Sequence, residues 1–345
     1  MEVDTEALDD ENSKSVYTPI PFQIGNSAYQ RNQLWKLPLT THSCVNLEEI
    51  WHNMLEKQCM YQREANIMDK HPDLNGRMRT TLVGWLMEVC EAQELFRDSF
   101  YNAVDYVDRY LSQNVNIHKN KLQLIGITAL LIAAKMEEYQ APSAWSLADF
   151  TDYACTEDEI LDEEVQILKT LNWELNPVTV NNWLKFYMQL IFTEKRNAKG
   201  MQTGCKRDAR GEFILHQFSG YEFIVPQFSE YEFSKIAELL DLVTMDIGSL
   251  QFCNNLTAAA AIHHMMSEEL VLSVIGLKHE DVAKCIEWMT PFAAVLQEDD
   301  TIKTYREIQN PRIQRDEYHK IQSAVSPLKL KAVHAKQEEM CDAQR

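Results

Sequence analysis

At 345 residues the chain is long enough for two domains of ordinary size plus tails, and Gly and Pro at only 10 each point to long helices with few tight turns. The same scarcity argues against a glycine loop around phosphates, and neither GxGxxG nor a P-loop pattern occurs. A formal net charge of -19 opposes direct binding to nucleic acid, whose phosphates call for clustered Lys and Arg.

The opening segment, MEVDTEALDDENSK, is acidic and lacks the apolar core of a signal peptide, so a nuclear or cytoplasmic protein is expected. Residues 1–45 are polar and contain Pro19, Pro21 and Pro38 without a sustained helical period, which predicts a disordered tail. Within it Thr18-Pro19 reads either as a target of a proline-directed kinase or as an ordinary extended segment. From Asn46 the pattern changes: Leu47, Ile50, Trp51, Met54 and Leu55 recur at helical spacing, with acidic residues early and Lys57 late, as the helix dipole favours.

A second helix is predicted over Met78 to Gln93, with Leu82, Trp85, Leu86 and Val89 on one stripe, and a third over Ser99 to Ser112, carried by Phe100, Val104, Val107 and Leu111. Leu122 to Glu138, LQLIGITALLIAAKMEE, is apolar on nearly every face until Lys135. A helix hydrophobic all round belongs in the middle of a bundle, and this one is too short for a bilayer, which takes roughly 18 to 20 apolar residues. No membrane span is expected, and the charged end of the helix emerges where a partner could read it.

Pro142-Ser143 restarts the chain into a short helix, Thr156-x-x-Glu159 reads as a capping box, and the helix it opens places Ile160, Leu161, Val165, Leu168 and Leu171 inward. Asn176-Pro177 then opens a second helical unit, Asn as N-cap and Pro at the first helical position. Its helices are expected at VTVNNWLKFYMQLI and at about 230–246, 253–266, 268–275 and 279–297, with Ala258 to Ala261 allowing close approach. An insert at about 195–228 carries HQFSGYEF, repeated nearly as PQFSEYEF, either a local duplication or a flaw in the gene model. Its cluster Lys206, Arg207 and Arg210 reads as an aid to nuclear import or as plain solvated charge. Residues 299–345 form a charged tail, helical in parts.

The eight cysteines include no CxxC pair, so neither a zinc site nor a disulfide framework is indicated. Adjacent His263 and His264 point different ways on a helix. No metal and no cofactor is expected, and no nucleophile, base and orienting acid fall into a catalytic arrangement.

Read together, MRTTLVGWLMEVCEAQELFRDSFYNAVDYVDRYLS and LLIAAKMEE resemble the cyclin box, with wording closest to E-type cyclins, and the resemblance covers about 46–297. It implies an all-α fold of tandem cyclin boxes, two five-helix bundles each around a central helix, with an N-terminal helix beside them. The boxes would fall at 46–175 and 176–298. It further implies a non-catalytic regulatory subunit that binds and activates a Ser/Thr cyclin-dependent kinase, of the cyclin-dependent kinase 2 type, as a heterodimer controlling entry into S phase in the nucleus. The alternative in the same fold is an adaptor that binds partners without activating a kinase.

Carried over residue by residue, the resemblance assigns Ile132, Lys135, Met136, Glu164 and Leu168 to the kinase interface. It assigns Met78, Thr81, Leu82, Trp85, Glu88 and Gln123 to a groove that docks RxL-type substrates and inhibitors. The family motif at the groove is MRAIL; here it reads MRTTL, so Thr80 and Thr81 depart from it. Arg79 and Asp108 are assigned as a structural ion pair. Ser326-Pro327-Leu328-Lys329 fits the S-P-x-K preference of cyclin-dependent kinases and makes Ser326, with Thr18, a candidate phosphosite. A degradation signal of the LLTPP type, expected near the end of E-type cyclins, is not found.

Overall fold

A computed structural model describes residues 47–61, 63–198, 230–298, 320–321 and 327–343. Its helices are α1 (Leu47–Met60), α2 (Gly76–Ala92), α3 (Arg97–Gln113), α4 (Leu122–Glu137), α5 (Ala144–Asp149), α6 (Glu157–Thr170), α7 (Val180–Ala198), α8 (Glu230–Met245), α9 (Asn254–Met265), α10 (His279–Glu298) and α11 (Pro327–Ala343). Between α9 and α10 a single turn, Glu268–Leu270, runs into the π-helical stretch Val271–Ile275. Among the described residues there is no strand, so the all-α expectation of two bundles holds.

In the first bundle α2, α3, α5 and α6 surround α4, which is buried from Ile125 to Ala134. Asn75 caps α2 by accepting a hydrogen bond from the Met78 amide at 3.0 Å. A Cβ added at Gly126 would lie 2.7 Å from Leu82 Cδ1, so the glycine is what lets α2 cross α4 so closely. Helix α3 is buried on every side, polar residues included, and these are satisfied across the bundle. Asn102 Nδ2 donates to Glu137 Oε1 at 2.8 Å, and the Tyr110 hydroxyl donates to Glu163 Oε1 at 2.9 Å. The capping box of α6 forms, with Glu159 N donating to Thr156 Oγ1 and Thr156 N to Glu159 Oε2.

The inward face of α6 differs from the sequence expectation. Ile160, Glu163, Ile167 and Leu168 are buried on it, whereas Leu161 and Val165 are 40% and 45% exposed. A helix turns about 100° per residue, so apolar residues one step beyond Ile160 and Glu164 belong to the neighbouring face, and an apolar stripe broader than the contact had hidden this.

In the second bundle α9 is central, and Ala258 to Ala261 are fully buried, their small side chains admitting α7, α8 and α10. Helix α1 lies against this bundle: the Trp51 ring meets Trp183 edge-on at 5.4 Å and Phe186 and Tyr187 at 5.9 Å. Gln58 and Asn255 exchange two hydrogen bonds of 3.1 Å. Helix α11 is not a free tail. It packs on α2, α8 and α10, burying Leu330 and Val333 at i, i+3 spacing, and His334 Nε2 lies 2.7 Å from Asp246 Oδ2. Before it, Lys320 bridges Phe96 and its carbonyl accepts from Arg97 Nη1 at 2.7 Å. Residues 195–198 of the expected insert are the last of α7. The remainder, and the candidate phosphosites Thr18 and Ser326, lie outside the described residues.

Candidate partner-binding surfaces

Three constellations carry the sequence-assigned residues. The first is built where α4 ends beside α6. Of the charged residues closing α4, the two acids bond back to α3: Glu137, itself exposed, accepts from Asn102, and half-buried Glu138 accepts through Oε1 from the Phe96 amide at 2.7 Å and the Ser99 hydroxyl at 2.6 Å. Burial raises the pKa of both carboxyls. Lys135 goes the other way. Its ammonium donates to both oxygens of Glu164, at 2.6 and 2.8 Å, with the lysine side chain 46% exposed and the glutamate 14%.

These are therefore not two free charges; each neutralises the other in the isolated chain. On α6, Leu161, Glu164, Val165 and Leu168 stand at i, i+3, i+4 and i+7 and form one stripe. Leu161 and Val165 are exposed, and Leu168, at 9%, sits at its buried rim. Met136, 53% exposed, and Trp173, 68% exposed, extend the apolar surround. Ile132 does not belong to it: at 2% exposure it is core, because it lies one turn below Met136 where α4 is already enclosed.

From the sequence Leu161 and Val165 were expected in the core, and Trp173 was not singled out. For the first two the signal was the apolar excess on α6. For Trp173 it is local backbone. After α6, Asn172 and Trp173 both take positive φ, 52° and 61°, and Trp173 N donates to Leu168 O at 3.0 Å. Asn tolerates the left-handed region readily, whereas a bulky residue there stores strain, and here the strained residue displays its indole to solvent.

The second constellation is the outward stripe of α2. Met78, Thr81, Leu82, Trp85 and Glu88 follow i, i+3, i+4, i+7 and i+10. Leu82 is buried against Gly126, Met78 and Trp85 are half-buried, and Thr81 and Glu88 are exposed. Gln123, half-buried, lies one helical turn before Gly126 on α4. The stripe thus borders the crossing of α2 and α4. The two threonines separate: the Thr81 hydroxyl bonds back to Arg77 O at 3.0 Å, while Thr80 points away and donates to Met245 O at 3.0 Å, joining the two bundles.

The third is scaffold. Arg79 makes a bidentate pair with Asp108, Nε to Oδ1 at 2.6 Å and Nη2 to Oδ2 at 2.7 Å, with both side chains 1% exposed. Its remaining nitrogen donates to Thr244 O of the second bundle at 3.1 Å. Burial alone would push the guanidinium toward its neutral form; the Asp108 carboxylate outweighs it and the pKa rises.

No group of three or more His, Cys, Asp or Glu suited to a metal occurs among the described residues, and none of their helices is long and apolar enough to cross a membrane. His264 Nε2 instead lies 2.9 Å from Ile286 O.

Comparison with known proteins adds a family. Residues 49–176 match the model described as Cyclin, N-terminal domain, and residues 178–327 match Cyclin, C-terminal domain. The chain is 41% identical over 287 residues to the G1/S-specific cyclin-E of Hemicentrotus pulcherrimus, covering 83% of this chain and 62% of that protein. It is 38% identical over 331 residues to the G1/S-specific cyclin-E1 of Danio rerio, covering 93% and 74%. Among solved structures, a viral cyclin from herpesvirus saimiri superimposes with a TM-score of 0.50 at 16% identity, over 74% of this chain and 97% of that one, a likeness of fold.

Proposed function

The chain belongs to the cyclin family, and from that premise we propose that it is the non-catalytic regulatory subunit of a Ser/Thr cyclin-dependent kinase, of the cyclin-dependent kinase 2 type, acting at the G1/S transition in the nucleus. The observation that carries this reading is the Lys135–Glu164 pair held at a surface with Met136, Leu161, Val165 and Trp173 exposed around it. Exposed large apolar side chains gathered about a fixed ion pair suit an interface with an aromatic and aliphatic centre.

In this reading the stripe on α6 and the end of α4 press on the kinase's small-lobe helix, bringing its Glu to the ATP-positioning Lys and releasing the activation loop from the site. Moving a kinase from 1% to 99% active takes about 5.5 kcal/mol of preference for the active form. The cyclin needs only to bind that form better, and a standard interface of about 1,600 Å² leaves room for such a difference. Helix α2 would supply the second activity. Met78, Leu82 and Trp85 offer apolar contact to the Leu of an RxL-type peptide, Glu88 a counter-charge for its Arg, and Gln123 a hydrogen bond from α4.

Kinases co-purifying with the tagged full chain, assayed for histone phosphorylation with and without it, test the proposal. Stimulated phosphorylation in the co-purified complex is expected. A bound kinase left unstimulated would make the chain an adaptor, and no bound kinase would end the reading.

A further inference from the structure

Two thiols far apart in sequence are brought near each other where α1 ends and α9 begins. Cys59 is the next-to-last residue of α1, and Cys253 is the N-cap of α9. Hydrogen bonds bracket the pair on both sides. Gln58, just before Cys59, exchanges two bonds of 3.1 Å with Asn255 across 197 residues of sequence. Arg63, shortly after it, donates through Nη2 at 3.1 Å to the carbonyl of Phe252, the residue before Cys253. The two sulfurs also act on each other: burial raises the pKa of the Cys253 thiol, the Arg63 guanidinium opposes the rise, and the Cys59 sulfur adds to it.

Capping does not explain the cysteine at the head of α9. An N-cap is ordinarily Ser, Thr, Asn or Asp, whose side chain accepts a backbone hydrogen bond; Cys253 makes no such bond. Both cysteines are free and half-buried, so each can be reached by a small solute from the surface. Cys285, the third thiol of this region, differs. It is 1% exposed, and burial pushes its pKa up to about 12, which leaves almost no thiolate to react.

We propose that Cys59 and Cys253 form a reversible disulfide when the chain meets hydrogen peroxide, and that the bond clamps α1 to the second bundle. The Cys59 thiolate attacks one peroxide oxygen: an S–O bond forms, the O–O bond breaks, and the leaving hydroxide takes up a proton as water. The Cys253 thiolate, its developing charge faced by Arg63, then attacks the sulfenic sulfur of Cys59. The S–S bond forms, the S–O bond breaks, and a second water leaves. In all, two thiols give up two electrons and one peroxide is reduced to two waters. The bond needs Cβ atoms about 3.5 to 4.5 Å apart, and both cysteines stand at helix ends, which yield more readily than helix interiors. Where reduced thiols abound such a bond is transient, so the clamp closes on oxidant and opens by thiol exchange. It involves no residue of the α4–α6 surface or the α2 stripe and is independent of the kinase reading.

The full chain, treated with hydrogen peroxide, alkylated and mapped by mass spectrometry without reduction, tests it. A peptide pair joined through Cys59 and Cys253 is expected, lighter than its two parts by two hydrogens and separated again by dithiothreitol. The oxidised chain should unfold a few degrees higher than the reduced one, because the cross-link restricts the unfolded ensemble. Cys253→Ser places a favoured N-cap residue on α9 and should fold; it should lose both the linked pair and the rise, and so should Cys59→Ser. No linked pair, linkage of either cysteine to a different one, or equal midpoints before and after linkage would each overturn the proposal.

Discussion

The Arg79 guanidinium binds Asp108 within the first bundle and the Thr244 carbonyl of the second, so its charge is matched locally while its geometry serves the junction. Asp108→Asn keeps the shape and removes the counter-charge. It should lower the stability of the full chain by about 3 to 5 kcal/mol, the usual cost of stranding one partner of a buried pair, measured by urea unfolding; a loss below 1 kcal/mol would mean that the junction carbonyls suffice. His264 gives a pH dependence. Burial lowers its pKa from 6.5, against the opposing Ile286 carbonyl, so below pH 6.5 the unfolded chain binds the proton more readily than the folded one. Stability should therefore fall as pH drops from 6.5 through the lowered value, and fall less in His264→Asn; identical pH profiles would count against the assignment. At Thr81, whose exposed side chain spends its hydroxyl on Arg77 O, Thr81→Ile adds apolar surface to the α2 stripe. If a docking peptide covers it, about 1 to 2 kcal/mol is gained, roughly a five- to thirty-fold tighter RxL-type peptide. Titration of such a peptide reads this directly, and equal affinities would remove Thr81 from the groove.

Helix α6 has two working faces, and they follow from two interleaved rows of residues. Ile160, Glu163, Ile167 and Leu171 pack inward, and Leu161, Glu164, Val165 and Leu168 form the row beside Lys135. Lys135→Glu sets two carboxylates against each other in the isolated chain, a modest cost because exposed pairs are worth about 0.2 to 1 kcal/mol. At an interface the same reversal costs several kcal/mol. The variant should fold, with its thermal midpoint lowered by a few degrees at most, and should fail to stimulate the kinase in the histone assay. Full stimulation at ordinary protein concentration would place the interface elsewhere. The capping box and the apolar run of α4 were legible in the sequence because both are written in residues close together along the chain. Which row of α6 faced solvent was not, since both are apolar and only the position of α3 and α4 chooses between them.

Across the molecule the bundles are joined by polar contacts of long sequence separation. Arg97 and Tyr101 on α3 both bind Asp241 on α8, at 3.1 and 2.7 Å, and Lys185 on α7 pairs with Asp98 on α3 at 2.5 Å. Helix α11 crosses the division, spanning α2, α8 and α10, while α1 sets the Trp51 ring edge-on to Trp183 of α7. Deleting residues 199–222 should leave a folded, kinase-binding protein, since loop length alters closure entropy only slowly, by about 0.6 kcal/mol per doubling. Circular dichroism and co-purification check it, and an unfolded product would show that the first QFSGYEF copy packs somewhere necessary.

Most helix positions, the central role of α4 and the cap at Thr156 were legible in the sequence, and the tandem arrangement in its resemblance to the family. The expected start at Asn176-Pro177 gave way to Val180, with Thr179 Oγ1 accepting from Asn182 N and Asn182 Oδ1 from Thr179 N. Periodicity and capping act over three to seven residues and survive without knowledge of neighbours. The tertiary structure decided what depends on partners far along the chain. It buried Ile132, opened Leu161 and Val165, and held Glu138 against the Phe96 amide and the Ser99 hydroxyl while Lys135 stayed outside. It also gave Thr80 to the junction and Thr81 to the surface, and docked α11 where a tail was expected. In each case the residue's own chemistry permits either environment, and the choice is made by which distant surface arrives to exclude water from it.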